Sequence, residues 1–503
     1  MRLKNVPQFR EVSISVNTFK EGMNGSVEEN VLPLVYAKEL INLDSKNGAL
    51  LPGVGIGQID EDESIEAQLR ARFLALDEPK QLYHFRRVDQ NGNRADYVVA
   101  YCSGSLIAID YFNPSNPNKV VWSNLSEVPQ AVNYNLNSTD VIIFCFQSGK
   151  MIVWDGEEEA YLVADAPAIS SLALHYERLF ATSNKQEQNT VWFSDDLDPT
   201  NWSISLSEAG FIQMSDERGA ALRVVSFLDY VYVFREYGIA RISGYGDQTQ
   251  FLVSQLSFQT GKIFADTVTL VGNKILFLAE DGLYSFNGLS VSKILPGLNS
   301  YFVGANNLDA VAVAGEGKWF LLCNIMLENE QGQKAQTKVL IEYDAAENKA
   351  LVGRGLGIVS LCALRLPHGS KVLAVVDKSK AEIFEGGETL SGGSGIVVGE
   401  IDHSGALFGD SLLGIWKSAW TDIGYSNAAK IVRKVSLDTK GKQLGFVLST
   451  ERGTLDTTIG TASKSTDTKL LNLRGDKIRF VLKGAAKDFY ASNLRLSLKL
   501  VSR

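Results

Sequence analysis

The chain has 503 residues, more than one ordinary hydrophobic core supports, so several domains or a modular fold are required. Hydrophobic residues at 45% against 21% charged exclude a disordered chain. A net charge of −9 argues against a surface built broadly to wrap phosphates.

Forty-four glycines with 11 prolines call for many tight turns at positive φ, the mark of numerous short strands. The opening Met1-Arg-Leu-Lys-Asn-Val-Pro7 lacks the apolar stretch of a secretory signal, and no 18-residue apolar run follows. The expectation is a protein made in a cytoplasm, with no membrane span.

Residues 1–78 are irregular and read as an N-terminal arm, ordered only against a neighbour. It carries Asn17-Thr-Phe-Lys-Glu-Gly-Met-Asn24, Leu34-Val-Tyr-Ala-Lys-Glu-Leu-Ile-Asn42 and Asn47-Gly-Ala-Leu-Leu-Pro-Gly53. Gly53-Val-Gly-Ile-Gly57 looks like a phosphate loop, but a dinucleotide fingerprint needs two residues between its second and third glycines and then a helix. A plain turn is the better reading. The acidic Asp60-Glu-Asp-Glu-Ser-Ile-Glu66 reads as a solvated loop or a helix start.

From 79 to 390 one pattern recurs: an apolar run, a turn, then a second run ending in an acidic or amide residue and often glycine. Asp140-Val-Ile-Ile-Phe-Cys-Phe146 with Lys150-Met-Ile-Val-Trp-Asp-Gly156 is one such hairpin, and Lys274-Ile-Leu-Phe-Leu-Ala279 with Gly282-Leu-Tyr-Ser-Phe-Asn-Gly288 is another. The unit returns at the ~40 to 50 residue period of propeller blades, giving a β-propeller of about seven. Inner strands would be apolar on both faces because neighbouring sheets cover both. After the glycine-rich 386–395, read as a linker, residues 391–503 alternate as in Leu494-Arg-Leu-Ser-Leu-Lys-Leu500, which predicts an antiparallel β-sandwich. The fold class is therefore all-β.

Candidate chemistry is sparse. Cys102, Cys145, Cys323 and Cys362 lie apart in apolar runs and read as small buried hydrophobes. His84, His175, His368 and His403 are isolated, without the spacing of a metal site. The Ser394 of Gly393-Ser-Gly395 is no nucleophile elbow. Ser194-Asp-Asp-Leu-Asp-Pro-Thr-Asn-Trp202 is similar to the structural Asp-box turn of sialidase propellers, with imperfect spacing. Trp122, Trp154, Trp192 and Trp319 fall in strand runs and read as core. No catalytic, cofactor-binding or metal residue is assigned, no cofactor is expected, and the chain reads as a non-enzyme.

Several phrases resemble the propeller-containing tail and head-closure proteins of tailed bacteriophages, including nozzle, tail-tube-B-like and DNA-stabilising plug proteins. They are Phe19, Gly22 and Asn24, then Asn47, Gly48, Leu50, Pro52 and Gly53, then Phe193 to Trp202, Phe234 to Gly244, and Trp416 to Gly424. One position departs: Leu51 stands where the pattern usually has arginine. The resemblance implies a structural virion protein, commonly a sixfold ring in the tail or head-to-tail connector. Its expected partners are itself, portal, adaptor or tail proteins, and genomic DNA passing through or retained without specific binding. Two other readings remain open: a cellular protein-interaction propeller, and a carbohydrate-binding or receptor-binding one.

Overall fold

The computed structural model describes residues 9–16, 19, 21–27, 32–89, 91–205, 207–214, 216–244, 248–256, 258, 260–329 and 332–502. The opening seven residues and Asn17, Thr18 and Lys20 lie outside them. The architecture is all-β, with two short α-helices, Glu63–Leu74 and Pro296–Phe302, among the described residues. No described helix is long and apolar enough to cross a membrane.

Six four-stranded antiparallel sheets follow one another in the sequence. The first contains Pro79–Val88, Arg94–Cys102, Ser105–Asp110 and Lys119–Trp122, and the sixth ends with Lys349–Arg354. Each begins at one edge and steps outward hairpin by hairpin. The opening strand of each lies against a strand of the sheet before it. A further sheet orders Leu356–Leu366, Gly369–Glu385, Ile396–Asp402 and then Gly55–Gly57, which arrives from the other end of the chain. Its first strand packs on Pro79–Val88 of the first sheet. The region is propeller-like.

The two-residue period of a strand explains how these sheets hold together. Val99, Tyr101 and Leu106 of the first sheet pack with Phe144, Ile152 and Trp154 of the second. Their neighbours Val98, Ala100 and Cys102 point the other way, onto Leu364, Leu373 and Val375 of the last. In the second sheet Val141, Ile143 and Cys145 repeat the device against Leu179 and Ala181 of the third. A sheet covered on both faces needs a continuous apolar run, which is what Val141 to Cys145 supplies.

Two further sheets, drawn mainly from residues beyond Leu412, share one buried core, with Val432, Val435, Leu496 and Leu498 of one and Phe446, Leu448, Phe480 and Leu482 of the other, in a sandwich-like arrangement. One is ordered Phe9–Val16, Ser492–Ser502, Ala428–Asp438, Thr466–Gly475. The other is ordered Glu39–Ile41, Leu413–Lys417, Ile478–Ala485, Leu444–Thr450, Gly453–Ile459. The alternation of the last strand is realised: Leu494, Leu496, Leu498 and Leu500 are buried, and Arg495 is exposed.

Two expectations are corrected. The N-terminal segment is not an arm awaiting a neighbour. Val16 pairs with Leu494, Leu40 with Trp416, and Gly57 with Glu400, so it supplies a strand to each sandwich sheet and to the last propeller-like sheet. Its short runs carry too little pattern to name such distant partners. The glycine-rich stretch is not a linker either. Gly386 and Gly387, at φ 62° and 95°, make the hairpin turn between Glu385 and Glu388, and the chain then re-enters the same sheet at Ile396–Asp402.

Candidate functional site

The residues that chemistry made conspicuous are taken up by structure. Gly53, Gly55 and Gly57 stand where chain meets chain. A Cβ on Gly53 would lie 2.6 Å from the Leu43 nitrogen, and one on Gly55 would lie 2.6 Å from the Ala406 carbonyl oxygen. Close approach of backbones explains both glycines without a phosphate. Gly53→Ala is expected to destabilise the fold by about 1–3 kcal/mol through overpacking, read as a lowered urea midpoint; an unchanged midpoint would contradict this packing.

The Ser194 to Trp202 segment is a knitted corner. Asp195 accepts from the Asp196 and Glu208 amides and from Asn201 Nδ2, at 2.9–3.0 Å. Ser194 Oγ accepts the Leu179 amide at 3.0 Å. Arg178, 4% exposed, donates to the Ser194 and Glu208 carbonyls. These hydrogen bonds serve the turn, and Trp202 reaches beyond it to donate to Met151 Sδ of the second sheet at 3.2 Å.

The four cysteines are buried and unbridged. Burial pushes the Cys102 and Cys362 thiols up to about 12, far from the thiolate a nucleophile needs. His175 is buried against Ser226 Oγ at 2.9 Å, and loss of solvation lowers its pKa. His368 is exposed in a turn. Among the described residues no three His, Cys, Asp or Glu side chains are placed to share a metal ion. Trp154 and Trp319 are core residues, whereas Trp122 and Trp192 are half-buried on inter-sheet grooves.

The charged groups that matter most sit at joints between parts of the chain. At the seam of the first and last propeller-like sheets, Asp96 is fully buried. His84 Nε2 lies 2.8 Å from it and Arg94 Nε donates to it at 2.7 Å. Arg94 also donates to the Arg365 carbonyl, and His84 Nδ1 lies 3.3 Å from the Arg365 amide, so both nitrogens of the imidazole are committed. Burial alone would raise Asp96; hydrogen bonds from His84 and Arg94 outweigh it and hold the carboxyl below its usual range. Beside this, Lys371 of the last sheet reaches Glu61 at 3.1 Å and Glu400 at 3.2 Å, while Tyr111 of the first sheet donates to Glu61 at 2.9 Å. Glu61, expected to be solvated, is 13% exposed.

At the propeller-to-sandwich joint the long hairpin Lys318–Glu328 and Lys334–Asp344 delivers Glu328 to Lys417 at 3.2 Å and Arg479 at 3.4 Å. Lys417 also holds buried Glu39 at 2.6 Å. On the same hairpin Glu342, 3% exposed, binds Lys318 at 2.6 Å and His403 at 2.9 Å. These partners hold Glu342 low against its burial, and the hydrogen bond to Glu342 raises His403. A raised histidine contributes stability that is full below about pH 6.5 and lost as pH rises through its folded pKa. The stabilising advantage of wild type over His403→Gln should therefore be present at pH 6 and shrink by pH 8.5 in thermal melts; a constant difference would sink the assignment.

Sequence reasoning did not single out Glu39, Glu328, Glu342 or Lys417. The signal was there: one charge inside an apolar strand, as in Val339-Leu-Ile-Glu-Tyr343, demands a partner.

An open groove of about 790 Å³ between the outer edges of the first two sheets is lined by Lys119, Trp122, Lys150, Trp154, Glu158 and Leu162. It brings no acid–base or nucleophile pair together.

No family model matches the chain, and no curated protein matches it. Among solved structures, YjhT is 9% identical, with 55% of this chain and 97% of that one covered at a TM-score of 0.33. BBS1N in complex with ARL6DN is 9% identical, with 51% and 73% covered at 0.31. Likenesses at this level carry no argument about the present chain.

Proposed function

We propose that this chain is a structural virion protein of a tailed bacteriophage, forming a ring in the tail or head-to-tail connector that retains or conducts the genome. In this reading the propeller-like region is a ring of seven blades. Six are the consecutive four-stranded sheets, and the seventh is completed by Gly55–Gly57, with the last sheet leaning on the first. A strand borrowed from the far end of the chain fastens such a ring against opening.

The observation that supports this reading most directly is where the phrases that resemble those of tail proteins fall. Phe19 is fully buried edge-on against Trp416 at 5.2 Å, and its amide donates to the Gly48 carbonyl. Asn47 and Gly48, at φ 53° and 79°, form the adjacent hairpin turn. Leu50 exchanges backbone hydrogen bonds with Ala491, and the Gly53 amide donates to Asn42. Residues far apart in sequence thus build one joint binding propeller to sandwich. A rigid joint of this kind suits a part that transmits force within an assembly.

Negative-stain imaging of the purified protein, with antibody labelling of intact particles, tests the proposal. Rings in solution and label at the tail or neck are expected. A monodisperse monomer that binds glycans, or particles that lack the protein, would overturn it.

A further inference from the structure

The outer face of the sandwich sheet formed by Phe9–Val16, Ser492–Ser502, Ala428–Asp438 and Thr466–Gly475 is basic, although the chain as a whole carries −9. Its register sets the rows. Arg474, Ile431, Lys499 and Glu11 lie across the sheet in one; Leu470, Lys434, Ser497 and Ser13 in the next; Thr468, Ser436, Arg495 and Ser15 in the third. Arg433 is added where the ladder shifts register, held by Asn472 at 3.3 Å. Arg433, Lys434, Arg474 and Arg495 are exposed, and among the described residues none of them pairs with a carboxylate. Beside Lys434 stands Leu470, 85% exposed. Cations concentrated around an uncovered leucine are the composition of a protein contact more than of a purely phosphate-binding stripe.

The complementary feature lies on the other half of the molecule. Past its pairing with Ile396–Asp402, strand Gly369–Glu385 continues as a two-stranded ribbon with Glu388–Ser391. Its last rung sets Glu385 directly opposite Glu388, both exposed and neither in an ion pair among the described residues. Like charges facing each other weaken a ladder, and a lone two-residue-turn ribbon is marginal by itself. Leu390, next along this ribbon, is 44% exposed.

We propose that the acidic ribbon tip of one copy (Glu385, Glu388, Leu390) docks on the basic sandwich face of a second copy (Arg433, Lys434, Leu470, Arg495). The proposal deepens the ring reading above and rests on it. Two different surfaces of identical chains make a head-to-tail contact, the kind that closes into a ring when the rotation per subunit permits. Salt weakens such a contact, because exposed charges are screened beyond about 10 Å at 0.1 M.

The test is charge reversal read by light scattering and sedimentation. Wild type should assemble at low salt. Lys434→Glu with Arg495→Glu, or Glu385→Lys with Glu388→Lys, should each weaken assembly at least tenfold while leaving the circular dichroism and melting temperature of the monomer unchanged. Mixing the two reversed proteins, or combining all four changes in one chain, should restore it. Rings that persist through both single reversals overturn this contact and leave the ring reading standing. A wild type that stays monomeric at high concentration overturns both. Rings indifferent to Lys434→Glu, together with loss of duplex DNA binding in that variant, reassign the face to nucleic acid and sink the proposal.

Discussion

Replacing Trp416 with alanine is expected to lower stability by about 3–5 kcal/mol, the cost of removing a large buried aromatic that its surroundings cannot refill. Trp416 is fully buried, with Phe19 edge-on at 5.2 Å on one side and Phe480 at 5.3 Å on the other. Its backbone pairs with Leu40 and Leu482, so the ring it carries is clamped between the N-terminal segment and the sandwich. The loss should show first as protease cleavage between residues 19 and 54, followed by a lower urea midpoint for the near-ultraviolet signal of the sandwich. A variant as resistant as wild type would mean that Phe19 and Trp416 do not hold this joint.

Asp96→Ala should be comparably severe, at about 3–5 kcal/mol, because it strands His84 and Arg94 beside a buried gap at the seam. Asp96→Asn keeps the shape and part of the hydrogen bonding, and should cost less. The pH dependence follows from the lowered carboxyl. A group whose folded pKa lies below its unfolded value, near 3.9 for aspartate, contributes stability above that value and loses it as pH falls through the folded pKa. Wild type should therefore lose its advantage over Asp96→Asn below about pH 4 and keep it from pH 5 upward. Hydrogen exchange in Pro79–Val88 and Leu356–Leu366 would locate the effect. Faster exchange spread evenly over all sheets would argue against a seam.

Much of the fold was legible because it is written in short-range pattern. The run Val141 to Cys145 announces a strand covered on both faces, and Leu494 to Leu500 announces one covered on a single face. The hairpin turns were legible for the same reason, since glycine and asparagine mark where φ turns positive. Pairings between distant segments were not. Nothing in Gly-Ile-Gly at 55–57 names Glu400 to Asp402 as its partner, and three residues are too few to display a period. The glycines of 386–395 look like a linker until Glu385 is seen across from Glu388. The buried carboxylates lay between these extremes. Glu342 and Asp96 could be marked as needing partners from their apolar surroundings, but Lys318 and His403, or His84 and Arg94, are assigned to them by the tertiary fold.

The pairing of residues 9–16 with residues 492–502 bears on how the protein is made. Translation delivers the first of these strands long before the second, so a nascent chain carries an open edge, and an uncovered Phe19, until Trp416 and then residues 492–502 emerge. Contacts spanning such a distance form late and slowly. A chain stopped short of residue 492 would keep those edges bare, exposed to aggregation and to proteases, whereas pairing with residues 492–502 covers them. Closure of these edges is thereby tied to the emergence of residues 492–502.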